Sequence, residues 1–238
     1  MTIEWNPWHG CTKYSPGCDN CYVYRRDESY GKNAYDLYKT KDFDLPLRKQ
    51  KDGTYKIPSN TTVYLCMTSD FFLDRADVWR DEIWNIMRIR QDLFYMIITK
   101  RIERFSSCVP VDWENGWKNV TIMCTVENQT QCDIRLPIYL KAPIYNKVVV
   151  CEPLLSDIDM TEYMNGDIEK VICGGESGPG ARVCRYEWIL HIREQCERYQ
   201  KRFSFKQTGA RFEKEGIVYS IPRALQHSQA EKANIDLT

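Results

Sequence analysis

Short apolar runs rich in Val and Ile recur along the chain, separated by helical or polar stretches. They predict strands over Val63–Met67, Phe94–Thr99, Val120–Thr125, Lys147–Cys151, Lys170–Cys173 and Phe203–Lys206, with a short extended piece at Ile3–Trp5. Several runs are continuously apolar, the pattern of strands covered on both faces of a parallel sheet. Between them, Asp77–Arg90 places Val78, Ile83, Trp84 and Met87 roughly on one helical face, and Tyr186–Tyr199 does the same with Trp188, Ile189, Ile192 and Cys196. Strands alternating with helices imply right-handed βαβ units. Six or seven units fall short of an eight-unit barrel, so the expected fold is α/β: an open, partial (β/α) barrel of the TIM type over residues 1–209. A polar insertion near residues 30–60 interrupts it, with Asp52–Gly53 marking a turn. Its Arg48, Lys49 and Lys51 read as a solvated face before a basic patch. Residues 210–238 form a C-terminal extension ending in a polar helix around Ala224–Ala233.

The polar residues that follow each apolar run are more informative than the runs. Thr68-Ser69-Asp70 follows the second strand, Thr99-Lys100-Arg101 the third and Thr125-Val126-Glu127-Asn128 the fourth. Glu152-Pro153, then Gly174-Gly175-Glu176-Ser177-Gly178, and finally Lys206-Gln207 follow the last three. In a parallel barrel the carboxyl ends of the strands share one face, where active sites are built. A polar residue at one strand end is ordinary; six such ends in succession predict a binding or catalytic site. Gly174 and Gly175 would let a ligand approach the backbone there.

Composition narrows the class. The 238 residues carry 33 Lys+Arg against 33 Asp+Glu, a formal net charge of zero. With 28% charged residues and a mean hydropathy of −0.54, the chain reads as soluble. No apolar run approaches the roughly 18–20 residues of a membrane span, and the start MTIEWNPWHG lacks a signal-peptide pattern. The expectation is a cytoplasmic protein without membrane contact. A neutral chain also argues against coating nucleic acid by charge alone.

Eleven cysteines are many for a chain in a reducing compartment. Cys66, Cys124, Cys151 and Cys173 sit inside apolar runs and read as small buried hydrophobes. Cys108, Cys132, Cys184 and Cys196 are scattered, and Cys196 beside Ile192 reads as packing. Cys11, Cys18 and Cys21 differ, forming the loop HGCTKYSPGCDNCY with C-x6-C-x2-C spacing. Three clustered thiolates leave two options. Zinc would need a fourth ligand such as His9 in a closed structural site. A [4Fe–4S] cluster would use three Cys and leave one iron open. The loop directly follows the first extended segment, which places it on the face of the polar strand ends. A structural zinc knuckle has no need of that position, whereas a reactive cluster does.

The stretches WNPWHGCTKYSPGCDNCY, TSDFF, ITKRIERF, TVEN, RLPIYL, EPLL, GGESGPGAR, REQC and FSFKQTG run from about Glu4 to Gly209. In that order they resemble a phage-associated three-cysteine-motif family of unknown function that is radical-SAM-like. The resemblance implies a partial barrel whose Cys11, Cys18 and Cys21 hold a [4Fe–4S] cluster. It implies S-adenosylmethionine as cofactor, chelated on the open iron and cleaved after reduction by an electron donor, usually to methionine and a 5′-deoxyadenosyl radical. The order of strand ends is also similar to that of the spore photoproduct lyases. On that analogy Ser69, with Asp70 beside it, would hold the methionine amino group, Lys100 its carboxylate, and Glu127 or Asn128 the ribose hydroxyls. The chain departs from the commonest superfamily pattern. The first cysteine gap is six rather than three, Asn20 stands where an aromatic often contacts adenine and Tyr22 follows Cys21 instead, and the GGE stretch comes late.

Glu152, Glu176, Arg182 and Lys206 would line the later half of the strand ends, where substrate and catalytic groups are expected. Arg182 and Lys206 suit phosphate or carboxylate, and the Gly-rich GGESGPGAR loop suits an anion cradle. Equally, Glu176 and Arg182 can pair to hold that loop. Three functions follow: radical chemistry on nucleic acid or a nucleotide, radical chemistry on a small metabolite or peptide, or a zinc-stabilised nucleic-acid-binding or accessory protein. A genomic partner protein is a further expectation.

Overall fold

The computed structural model describes all 238 residues. In chain order its strands and helices are Thr2–Trp5 (β1), Trp8–His9 (β2), Tyr22–Ser29 (α1), Tyr38–Lys39 (β3), Thr62–Leu65 (β4), Asp77–Ile89 (α2), Phe94–Thr99 (β5), Phe105–Cys108 (α3) and Val120–Thr125 (β6). There follow Gln129–Lys141 (α4), Asn146–Cys151 (β7), Ile168–Gly174 (β8), Cys184–Arg185 (β9), Tyr186–Arg198 (α5), Arg202–Gln207 (β10), Arg211–Lys214 (β11), Ile217–Ser220 (β12) and Gln226–Ala233 (α6). The fold is mixed α/β. Seven strands form one sheet in the order β1-β4-β5-β6-β7-β8-β10, with β1–β4, β4–β5, β7–β8 and β8–β10 parallel. A parallel sheet whose strands follow one another in chain order has the topology of a partial (β/α) barrel, as the apolar runs predict. No helix is long and apolar enough to cross a membrane.

The chain forms two compact units. One comprises Met1–Lys13, Arg26–Met123 and Ala142–Asn146; the other comprises Tyr14–Arg25, Cys124–Lys141 and Lys147–Thr238. In the first, α2 buries Ile83, Trp84, Ile86 and Met87. Val78 is 81% exposed, contrary to the expected face. It lies five residues before Ile83, or some 500° of helical rotation, which carries it to the far side. Trp84 anchors an aromatic cluster with Phe71, Trp113 and Trp117, and its indole N–H donates to the Cys108 carbonyl at 2.8 Å.

The polar insertion is fastened to this core by Arg90. Its side chain is fully buried, lies 4.0 Å from the Tyr55 ring centroid and donates to the carbonyls of Pro46 and Ile57 at 2.5 and 2.7 Å. Asp92 balances the charge at 2.8 Å. Lys49 and Tyr55 form an antiparallel bridge around the Asp52–Gly53 turn. Arg48 is paired with Asp42 and Asp44, so the insertion carries less free positive charge than its composition suggests.

In the second unit, α5 buries Ile189, Ile192, Gln195 and Cys196, while Trp188 stays half-buried under the Arg185 guanidinium. Residues 210–238 are woven into this unit. They add the β11–β12 hairpin, absent from the sequence expectation, as a three-stranded sheet with β9. Leu237 bridges Phe203, and the Asp236 carboxylate accepts the Phe205 N–H at 2.8 Å.

The hydrogen bonds from Arg90 depress the Asp92 carboxyl from its usual range to about 2, burial opposing them. A depressed carboxyl contributes stability that is present above its unfolded pKa, about 3.9, and is lost as pH falls through the folded value. Asp92→Asn should therefore lower stability at neutral pH and flatten the loss of stability between pH ~4 and ~2. Urea titrations of both proteins across that range measure it.

Candidate functional site

The first unit holds Cys11 two residues after the end of β2. Gly10 has φ +104°, and a Cβ there would stand 2.3 Å from the Asp36 carbonyl, so only glycine fits. The Cys11 N–H donates to the Ala34 carbonyl at 2.8 Å. Before it, the Gly10 carbonyl accepts the Ser69 hydroxyl at 2.5 Å, and Ser69 in turn accepts the Trp8 indole N–H at 3.0 Å. After it, the Thr12 carbonyl accepts Arg101 at 2.6 Å. Arg101 is buried and paired with Asp70 at 3.2 Å, and Asp70 also accepts the Thr99 hydroxyl and the Phe72 and Lys100 N–H groups. The ends of β4 and β5 thus grip the chain on both sides of Cys11. Lys100, half-buried on the same turn, makes no ion pair. Cys66, at φ +58° just after β4, is buried; burial, then the Asp70 carboxylate, push its thiol well above the ordinary value, and Cys11 adds to the rise.

His9 Nε2 lies 2.6 Å from Asp27 Oδ2, and both side chains are buried. That ring nitrogen is committed within the protein.

The second unit holds Cys18 and Cys21 on successive turns. Cys18 closes a 3-10 turn by donating to the Ser15 carbonyl at 2.8 Å, and Cys21 donates to the Cys18 carbonyl at 3.3 Å. Tyr22 follows as the first residue of α1, 38% exposed. Glu127, fully buried at the end of β6, accepts the Ser15 hydroxyl and the Gly17 N–H, and its other oxygen accepts Arg135 at 2.7 Å. Asn128 caps α4, its Oδ1 accepting the Gln131 N–H at 2.9 Å.

Around the same turn wraps the GGESGPGAR stretch. Glu176 accepts Arg182 at 2.6 and 3.1 Å, the Arg182 N–H at 2.9 Å and the Asn20 amide at 2.9 Å. Arg182 also donates to the Pro16 carbonyl at 2.9 Å. Arg25 fills the concavity at Gly178, where a Cβ would stand 2.3 Å from its guanidinium, and donates to the Ser177 carbonyl at 2.8 Å. The Gly-rich stretch is therefore occupied by the protein's own side chains, in keeping with the pairing alternative. Gly174 and Gly175 likewise admit the Glu152 carboxylate and the Thr208 backbone, whose oxygens would meet a Cβ at 2.9 and 2.2 Å. Glu152 accepts Lys206 at 2.8 Å and the Gln207 amide.

Sequence reasoning missed the roles of Arg101, Arg135, Asn20 and Arg25. For Arg101 a signal existed, since TKR ends a strand directly opposite the Asp of TSD. Arg135 and Arg25 lie on helices, where an arginine ordinarily signals solvent.

All eleven cysteines are thiols. Eight are buried, and Cys11, Cys18 and Cys21 alone are half-buried. No group of three or more His, Cys, Asp or Glu side chains that could hold a metal ion is gathered in this structure. A sulfur-only donor set at partial exposure fits an iron–sulfur cluster with an open position. A family model described as protein of unknown function (DUF5131) matches residues 1–235. No curated protein and no solved structure matches the chain.

Two outcomes follow from this geometry. Glu127→Gln leaves the Arg135 charge buried without its counter-ion and should cost about 3–5 kcal/mol, with amide exchange at residues 15–18 accelerated more than in β7. Burial opposes the charged form of Glu176, but the hydrogen bonds from Arg182 and Asn20 outweigh it and hold the carboxyl below its ordinary value. That stability is present above the unfolded carboxyl pKa, about 4.3, and is lost as pH falls through the folded one. Arg182→Gln should shrink this acid dependence and deprotect residues 16–21, both readable by hydrogen exchange at pH 4 and 7.

Proposed function

The chain belongs to the family described as protein of unknown function DUF5131, and we propose that it is a radical S-adenosylmethionine enzyme whose Cys11, Cys18 and Cys21 hold a [4Fe–4S] cluster. The observation that carries the reading is selective exposure: of eleven cysteines, only the three of the C-x6-C-x2-C loop leave the core. A [4Fe–4S] cluster with S-adenosylmethionine supplies one-electron reductive cleavage of the sulfonium and hence radical chemistry. The protein supplies position. Asp70 and Arg101 fix the backbone beside Cys11 through Thr12, and Ser69 fixes it through Gly10. Glu127, Glu176 and Arg182 fix the turn that carries Cys18 and Cys21.

Lys100 is the cation for the cofactor carboxylate, because its ammonium is not spent within the protein. Asn128 keeps its amide nitrogen for a ribose hydroxyl, its oxygen being used as the helix cap. Glu127 and Glu176 are positioning residues in this reading, since their oxygens are taken by the cysteine turn. Glu152, Lys206 and Gln207 then form the substrate-facing group: Lys206 is 46% exposed and the carboxylate beside it 15%. Such a hydrogen-bonded acid–amine pair can orient a polar substrate and move a proton at the Glu152 carboxylate or the Lys206 amine. A nucleotide or nucleic acid is the proposed substrate, on the resemblance to the spore photoproduct lyases.

Protein purified without oxygen should contain about four irons and four sulfides per chain. Its EPR signal after reduction should shift on adding S-adenosylmethionine. Cys18→Ala should lose most of the iron, and Lys100→Ala should keep it while binding S-adenosylmethionine at least about tenfold more weakly. Zinc in place of iron, with no response to S-adenosylmethionine, would refute the proposal in favour of a metal-stapled binding protein.

A further inference from the structure

The chain's last strands build a second recess, remote in role from the cysteine turns. Arg211–Lys214 and Ile217–Ser220 are joined by Glu215–Gly216, both with left-handed φ (55° and 77°), the two-residue connection that matches strand twist. Phe212 faces Tyr219 across the pair and Lys214 faces Ile217. Because strand side chains alternate, Phe212, Lys214 and Tyr219 share one face. That face looks into a cavity of about 550 Å³ bounded also by Tyr186, Phe205 and Lys232.

The lining is unusual in composition. Phe205 and Phe212 are buried and stacked, with centroids 5.8 Å apart and ring planes 27° from parallel. Tyr186 stands over Phe212 at 5.8 Å and 61°. Tyr219 is 46% exposed, so its ring is incompletely covered. One tyrosine ring left partly uncovered against a wall of buried aromatic rings suits a planar aromatic ligand better than a flexible chain. Two cations stand at the cavity: Lys214, whose Nζ lies 5.2 Å from the Tyr186 ring centroid, and Lys232 on α6. Neither is in an ion pair, whereas Lys39, Lys147 and Lys206 all are. Thr208 and Gln229 add a hydroxyl and an amide to the lining.

We propose that this cavity binds a free mononucleotide, the base held among the rings of Tyr186, Phe212 and Tyr219 and the phosphate held by Lys214 and Lys232. The volume lies within the range of small-molecule pockets and encloses one nucleotide rather than a strand. This site is independent of the cluster reading, because none of its residues belongs to the cysteine turns or the strand ends that grip them.

Equilibrium dialysis of radiolabelled AMP against the full chain tests it. AMP should bind, excess S-adenosylmethionine should leave it bound, and adenosine should compete far less well than unlabelled AMP. The double variant Lys214→Gln/Lys232→Gln should weaken binding at least about tenfold, and Tyr219→Ala should weaken it with an unchanged circular dichroism spectrum. All the substituted side chains are exposed, so the fold stands in both variants. Absence of AMP binding, or binding untouched by the double variant, would overturn the proposal. Displacement of AMP by S-adenosylmethionine would assign the nucleotide to the cofactor site and overturn it too. Preferential binding of a short oligothymidylate or of laurate would replace the mononucleotide by a strand or a fatty acid.

Discussion

Two buried carboxylate–arginine pairs govern how the cysteine segment is held. Asp70 with Arg101 does this in one compact unit and Glu127 with Arg135 in the other. A buried ion pair contributes little net stability, because desolvation nearly cancels attraction. Its remaining hydrogen-bonding capacity is what matters here. Asp70 has oxygens to spare for two backbone N–H groups and the Thr99 hydroxyl, and Arg101 has an N–H to spare for Thr12. Glu127 has lone pairs to spare for Ser15 and Gly17. Each pair converts a strand end into a socket for irregular backbone, whose polar groups would otherwise be buried without partners. The sockets are charged, so hydrogen bonds to them are stronger than neutral ones.

Holding a loop this way has a consequence for chemistry. A thiolate on a freely moving loop must lose conformational freedom when it binds a metal or cluster. On the proposed reading that loss is largely met during folding: Gly10 is wedged against the Asp36 backbone, where a Cβ would collide at 2.3 Å, and Gly178 holds a left-handed φ of +92° beside Arg25. The thiols themselves stay half-buried while their backbones are fixed. Fixed backbone positions are what the proposed ligand set needs.

The strand sequence and order were legible because the apolar runs are long, β-branched and evenly spaced; Phe94–Thr99 and Val120–Thr125 match to the residue. The β11–β12 hairpin was not, because Arg211–Lys214 and Ile217–Ser220 are four residues each, with every β12 residue exposed, so no burial pattern marks them. Helix α4 was hidden by Pro137 within it and by buried Arg135, which breaks the apolar stripe. Val78 was misplaced by a phase error of half a turn. For the site, the locations of Ser69, Asp70, Lys100, Glu127, Glu152, Glu176 and Lys206 at strand ends were readable from the apolar-to-polar transitions. Of their partners only Arg182 was: Arg101 stands 31 residues beyond Asp70 and Lys206 54 beyond Glu152, and Arg135, although only eight residues from Glu127, sits on a helix where an arginine ordinarily signals solvent.

A polar residue at a strand end therefore has two fates, and sequence alone does not distinguish them. Asp70, Glu127 and Glu176 are buried, and each accepts three or more hydrogen bonds from the protein. Such a carboxylate has little capacity left for a ligand, however well placed. Lys100 and the Glu152–Lys206 pair keep exposure and unspent donors or acceptors. Saturation, rather than position, is the criterion that separates groups which build the site from groups which face what enters it. By that criterion the strand-end groups on which the proposed chemistry can draw, besides the three thiols, narrow to Lys100 and the Glu152–Lys206 pair, with the other charges at the strand ends working as framework.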